Sequence, residues 1–175
     1  MKNKLKVINL YGGPGAGKST TRAGLFNIMK LAKYSVEETT EYAKDRLWES
    51  NHSMIKDQLM ILANQNHRLF RLIGKVEWTI TDSPLLLSLC YVKPDYLPKT
   101  FNNIIYEVNE LYDNYNFFLN RVKPYNQSGR YQTEEEAKNI DNLILDILNK
   151  SNIKHNIVDA DENAPNIILD YIKKF

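Results

Sequence analysis

The chain has 175 residues, 43% of them hydrophobic, with 23 Lys+Arg against 21 Asp+Glu and a net charge of +2. That length suits one domain around one core, and so even a charge balance excludes the overall basic field of a nucleic-acid coat, leaving any such partner a local patch. A single cysteine, Cys90, excludes a disulfide within the chain and fits a reducing cytoplasm, while no apolar run nears the ~20 residues that cross a bilayer, so no membrane partner is expected.

Strand and helix signals alternate from the start. "MKNKLKVINL" flows straight into glycines without a small-residue cleavage site, so Leu5 to Tyr11 reads as a first strand and not as a signal peptide. Lys18 to Lys33 carries Leu25, Phe26, Ile28, Met29 and Ala32 at helical spacing. Ser35 to Thr40 is a weaker strand. After an irregular passage, Ile55, Leu59, Leu62, Asn66 and Leu69 mark one stripe of a long helix that Gly74 is placed to end. Val76 to Thr81 is a third strand, and Pro84 suits the first turn of a further helix in which Cys90 is expected to pack as a small buried hydrophobe. "KPDYLPKT" is a proline-punctuated loop, Phe101 to Tyr115 is helix-like, and "NFFL" is a short buried strand. Thr133 with Glu136 forms a capping box ahead of a stripe of Ala137, Ile140, Leu143, Ile144, Ile147 and Leu148. "IKHNIV" is a fifth strand, and Asn163, Ala164 and Pro165 open a last helix through Ile172. Five strands separated by helices predict an α/β fold with a parallel, doubly wound sheet in a single domain.

The pattern Gly12-x4-Gly17-Lys18-Ser19 lies between the first strand and its helix, where a phosphate-binding loop must lie. Gly13, Pro14, Gly15, Ala16, Gly17, Lys18, Ser19 and Thr20 are the expected nucleotide-binding residues, their amides turned toward a β-phosphate at the helix's positive end. Lys18 is placed to bridge the β- and γ-phosphates of ATP, and the Ser19 hydroxyl to hold Mg²⁺. After strand three stands Asp82-Ser83-Pro84. Asp82 can support the metal and its waters, or cap a helix, but no adjacent glutamate is available to activate water as in an ATPase. No Asn-Lys-x-Asp guanine signature is present.

A kinase needs a carboxylate beside the acceptor hydroxyl. Glu41, at the carboxyl end of strand two where ligands bind in this architecture, is the candidate base, with Glu37, Glu38 and Asp45 as competitors and a solvated acidic edge as the plain alternative. Trp48 either stacks on a base or packs a core. From Arg121 to Arg130 the chain has three basic residues, Arg121, Lys123 and Arg130, and no acidic ones. Such a loop, about 121–132, is either a lid that neutralises the transferring phosphoryl group or a solvated basic turn. "QNHRLFRLIGK" offers Gln65, Asn66, His67, Arg68, Arg71 and Lys75 as a surface for DNA phosphates, or as an ordinary exposed helix face.

This set of motifs resembles, over essentially the whole chain and in order, small P-loop kinases of the nucleoside, nucleotide and polynucleotide kinase group. The resemblance implies a P-loop NTPase fold of the nucleotide-kinase type and an ATP- and Mg²⁺-dependent phosphotransferase. Deoxynucleoside kinases carry a catalytic Glu after strand two, a Trp shortly after it and a substrate-binding Gln on the next long helix, which implies those roles for Glu41, Trp48 and Gln58. Three departures weigh against a free-nucleoside acceptor, a free deoxynucleoside or nucleoside monophosphate kinase remaining the alternative: Tyr42 follows Glu41 where the pattern has Pro, the Trp lies two residues further along, and Asp82-Ser83 replaces Glu-Arg-Ser. "GGPGAGKSTT", "TEYAKD", "ITDSPLL" and "GRYQTEEEA" are more similar to small bacteriophage P-loop kinases, a group that includes enzymes phosphorylating 5-hydroxymethyluridine already inside DNA. That similarity implies a phage protein acting in the host cytoplasm on modified DNA, with Lys123 beside the acceptor. The reading from another class is a nucleotide-gated switch or small ATPase.

Overall fold

The computed structural model describes residues 4–49, 54, 56–93, 95–122, 124–125 and 133–175. Five strands, β1 (Lys6–Tyr11), β2 (Val36–Thr39), β3 (Trp78–Thr81), β4 (Asp113–Asn120) and β5 (Asn156–Asp159), form one parallel sheet in the order β2-β3-β1-β4-β5. The described helices are α1 (Lys18–Leu31), α2 (Tyr42–Trp48), α3 (Gln58–Phe70), α4 (Thr100–Asn109), α5 (Glu134–Lys150) and α6 (Ala164–Ile172), with a 3-10 helix over Leu85–Cys90. None of them is long and apolar enough to cross a membrane.

A parallel sheet is covered on both faces, so its central strands are buried almost without interruption, as β1 is from Val7 to Tyr11. Ile8 and Leu10 point to one side, with Leu25 and Met29 of α1 and Ile168 and Ile172 of α6. Val7 and Tyr11 point to the other, with Leu62 and Leu69 of α3, Ile105 of α4, and Ile144 and Leu148 of α5. Toward its carboxyl edge this second face turns polar. Thr39, Thr81, Asn9 and Asn116 stand in register across four strands, all buried. Asn9 Nδ2 donates to Asn114 Oδ1 at 2.8 Å and to Asn116 Oδ1 at 3.0 Å, and Asn116 passes a bond on to the Lys154 carbonyl.

That asparagine row explains the largest departure from expectation. Asp113 to Tyr115, read as the end of a helix, begin β4 instead, and α4 stops at Asn109. Asn114 looks like a loop residue in the sequence, yet its amide is satisfied by Asn9 and the Asn109 carbonyl, so it does not break the strand. The irregular passage after Thr40 contains α2, too short to show a period. Pro84 precedes a 3-10 helix, in which Cys90 is half-buried and not fully buried. β5 starts at Asn156 because Asn152, at φ 52°, closes α5 and the Ile153 amide returns to the Leu148 carbonyl. The capping box forms as expected: Thr133 Oγ1 accepts from the Glu136 amide while the Glu136 carboxylate accepts from the Thr133 amide.

Replacing Asn9 by Leu keeps the volume but leaves the buried Asn116 oxygen and the half-buried Asn114 oxygen without their donor, at a cost of about 1–3 kcal/mol. Urea unfolding is expected to show that loss; an unchanged midpoint would remove the asparagine row from the stabilising interactions.

Candidate active site

The turn from β1 to α1 is shaped by backbone conformation. Gly15 and Gly17 hold φ of 74° and 95°, a region that other residues enter only with strain. Gly17 caps α1 with no side chain bonded to the first turn. Among the described residues the amides of Lys18, Ser19 and Thr20 meet no backbone acceptor, the first bonded amide being Thr21 onto the Gly17 carbonyl at 2.9 Å. Unpaired first-turn amides at the positive end of a 14-residue helix form an anion seat. Lys18 Nζ arches back over the loop and donates to the carbonyls of Gly12 at 2.6 Å and Gly13 at 2.9 Å.

Behind the loop stands Asp141 of α5. Its Oδ1 accepts from the Gly13 amide at 2.5 Å, and its Oδ2 accepts from Arg121 Nη2 at 3.0 Å. Arg121 in turn donates to the Pro14 carbonyl at 2.9 Å and lies over the Tyr125 ring. A Cβ at Gly13 would stand 2.6 Å from the Ala137 carbonyl, so only glycine lets the loop approach α5 this closely. The carboxylate therefore locks the loop to the base of the segment expected to close over it.

In front of the loop opens a pocket of about 490 Å³. Gly12, Pro14, Gly15, Gly17, Lys18, Ser19 and Thr20 line one end. Glu41, Asp82 and Ser83 also line the pocket, together with Leu47, Trp48, Gln58, Ile61, Gln65, Leu87 and Tyr91. Gly13 and Ala16 are buried beneath the loop and do not line it. Asp82 is 3% exposed. Arg22 of α1 approaches its Oδ2 to 3.5 Å and Glu38 Oε2 to 3.2 Å, whereas Asp82 Oδ1 is buried with no hydrogen-bond partner among the described residues. A buried carboxylate oxygen without a donor, in the same pocket as Ser19, suits a divalent cation and its water shell.

Glu41 stands at the N-cap position of α2, two residues past the end of β2, with no side-chain bond to the helix's first turn. Withdrawal from water pushes its carboxyl pKa up, Lys18 opposes that shift, Asp82 adds to it, and the outcome is a raised value. Burial likewise pushes the Lys18 ammonium down, against the pull of Glu41, Asp82 and Asp141. The pocket thus places two carboxylates and one ammonium in mutual electrostatic contact at the end of an anion seat.

The expected residues divide as follows. The structure brings Lys18, Ser19, Glu41, Trp48, Gln58 and Asp82 into one pocket. Trp48 is 72% exposed on its wall, which overturns the core alternative. Arg121 stays behind the loop, beside Gly15, and is not on the pocket wall. Lys123 and Arg130 lie outside the described residues, as does the expected lid beyond Tyr125. Gln65, Asn66 and Arg68, read as an outward surface for DNA, turn inward: Gln65 and Arg68 bond to Thr40 and Asn66 to Tyr112. Arg22 and Asp141 were missed by sequence reasoning. Asp141 had a signal, since it falls on the buried stripe of Ala137, Ile144 and Leu148, where an Asp needs partners.

A family model described as an AAA domain, AAA_28, matches residues 7–164. The chain belongs to this family. With the loop geometry above, it is a nucleotide-binding P-loop NTPase. Among solved structures, this AAA-domain chain is similar in fold to NadR, determined in complex with NR, at a TM-score of 0.75 and 17% identity. The match covers 98% of this chain and 51% of that one, so the chain spans about half the length of NadR. No curated protein matches it.

Asp141→Ala strands the mostly buried Arg121 and removes the acceptor of the Gly13 amide. It is expected to lower the unfolding free energy by about 3 kcal/mol, with Asp141→Asn, which retains an acceptor, losing less. Denaturation of Asp141→Ala at the wild-type midpoint would show that the tie is not holding the loop.

Proposed function

We propose that the protein is a Mg²⁺-dependent kinase that moves the γ-phosphoryl group of ATP to a hydroxyl of a nucleoside-type acceptor. One observation carries this reading: the anion seat with Lys18 and the half-buried Glu41 line a single pocket, within electrostatic reach of each other, together with apolar and aromatic side chains. A triphosphate at the loop and a base-sized group against Leu47, Trp48 and Tyr91 fit a volume in the usual range of small-molecule sites. Asp82 is followed by Ser83, whose amide donates to Thr81 Oγ1, so the residue that positions water in an ATPase has no counterpart here.

In this reading the loop amides and Lys18 bind the phosphates and fix the γ-phosphorus. Glu41 orients the acceptor hydroxyl and takes its proton. The hydroxyl oxygen forms a bond to the γ-phosphorus, the bond from that phosphorus to the bridging oxygen breaks, and ADP leaves with the electron pair. Mg²⁺, when bound through Ser19 and the waters of Asp82, supplies positive charge to the phosphate oxygens. Arg22, paired with Asp82, keeps that carboxylate in place. The apolar wall keeps bulk water from competing with the acceptor.

For the acceptor itself we propose 5-hydroxymethyluridine within DNA, as the likeness to phage kinases implies. Trp48, exposed on the wall and beside Lys44 of the same helix, offers a stacking face with a cation next to it for a base turned out of its strand. Incubation with γ-labelled ATP against nucleosides, nucleoside monophosphates, and plain and hydroxymethylated DNA tests this. Label in hydroxymethylated DNA supports the assignment, label only in free nucleosides or monophosphates replaces it, and label only in free phosphate sinks the kinase in favour of a switch or ATPase.

Glu41→Gln is expected to lower transfer by about 10²–10⁴-fold while leaving ATP affinity nearly unchanged; full activity would refute the role of Glu41. Lys18→Ala is expected to lose both tight ATP binding and transfer. The sign of the pH dependence follows from the raised Glu41 pKa. A base must be ionised, so kcat/KM falls as pH drops through a value above the ordinary 4.5 of a glutamate and levels off above it. A limb at or below the ordinary value would show that Glu41 is not the titrating base.

A further inference from the structure

β2 is an edge strand that ends at Thr39, two residues before Glu41. Among the described residues, the peptide groups on either side of Glu41 therefore have no neighbouring strand to bind. Gln65 of α3 supplies the missing partner. Its side chain, 3% exposed, brings one carboxamide to both groups: Oε1 accepts from the Tyr42 amide at 2.9 Å, and Nε2 donates to the Thr40 carbonyl at 3.2 Å. A strand lying beside Glu41 would make the same two bonds.

The same Nε2 lies 3.4 Å from Thr81 Oγ1, which accepts from the Ser83 amide at 3.1 Å. A single buried amide thus touches the backbone on both sides of Glu41 and the residue before Asp82. One turn further along α3, Arg68 donates to the Thr40 carbonyl at 3.1 Å and to Thr40 Oγ1 at 2.6 Å, and pairs with Asp45. Its guanidinium and that of Arg46 both lie against the Tyr42 ring. Arg68 thereby secures Thr40 a second time, but among the described residues the Tyr42 amide has Gln65 as its one acceptor. The residue type matters as well. Glutamine brings a donor and an acceptor without charge, whereas a carboxylate or ammonium here would act on Glu41 through space.

We propose that Gln65 is a positioning residue: it splints the turn that carries Glu41 and sets that carboxylate in register with Asp82. The proposal rests on the reading of Glu41 as the acceptor's base. Removing the splint leaves the Glu41 side chain present but lets its backbone shift, and a displacement of about 1 Å at a reacting group lowers turnover by about 100-fold.

The test is kinetic. Gln65→Met keeps the volume and removes both bonds. Its kcat is expected to fall about 100-fold with the KM for ATP within about twofold of wild type, because the bonds of Gln65 go to Thr40, Tyr42 and Thr81 and not to the phosphate loop. Added to Glu41→Gln, the same change is expected to alter the residual rate by less than about twofold, since residues that act as one unit are not additive. Wild-type kcat in Gln65→Met, or full multiplication of the two effects, overturns the proposal. Gln65→Asn keeps the amide but is one methylene short, is expected to lose activity similarly, and replaces the Met variant should that one fail to fold. If the wild-type protein transfers phosphate to no acceptor, the kinase reading fails on its own. Amide hydrogen exchange then decides the splint: protection of the Tyr42 amide lost in Gln65→Met while β1 keeps its protection supports it, and unchanged protection of Tyr42 overturns it.

Discussion

The site is built around a helix that starts without a side-chain cap. Ordinarily the first turn of a helix satisfies its amides with a Ser, Asp or Asn side chain. At α1 that place is taken by Gly17 in a left-handed conformation, and the amides of Lys18 to Thr20 remain available to an anion. An arrangement this costly must be held from outside, and it is. β1, buried on both faces, fixes the start of the loop, and α1 packs Leu25 and Met29 against the sheet to fix its end. Asp141 holds the middle through the Gly13 amide. Each support is needed because the loop itself contains almost nothing that packs.

The charges around the loop follow from the same constraint. An anion seat collects cations, and partly buried cations need counter-charges. Arg121 is neutralised by Asp141 behind the loop, and Arg22 by Glu38 and Asp82 beside it. Lys18 is left with loop carbonyls as its hydrogen-bond partners and with Glu41 and Asp82 as more distant counter-ions. The two arginines are thus locked into the framework, while the ammonium that faces the pocket is held by neutral groups that a phosphate can displace.

What could be read in the sequence tracks how local the determining interaction is. The phosphate loop, α1 and the capping box of α5 are set by residues within a few positions of one another, and they stand as expected. β4 was shortened at its start because Asp113 and Asn114 are polar, and it is the pairing with Asn9, more than a hundred residues away, that seats Asn114 in the strand. Trp48 was ambiguous because a seven-residue helix shows no period that would separate its wall from its core. Gln65 and Arg68 were read as surface because their partner, the turn after β2, cannot be located from the helix alone. Asp141 shows the converse. An acid on an apolar stripe announces a buried partner, but the partner's identity is tertiary information.

The strand order then explains why donor and acceptor groups meet without colliding. β3 lies between β1 and β2, so Asp82 leaves the sheet next to the phosphate loop and Glu41 leaves it one strand further out. Neighbouring strands are about 4.8 Å apart, which puts the end of β2 about 10 Å from the end of β1, room for a phosphoryl group and an attacking hydroxyl between them. An edge strand has a cost in this position, because among the described residues no further strand pairs with its last residues. The base of the reading proposed above therefore sits at the least supported strand end of the pocket. α3 crosses this end of the sheet with Gln65 and Arg68 turned inward, and the rigidity that β2 cannot draw from a second neighbouring strand comes from a helix.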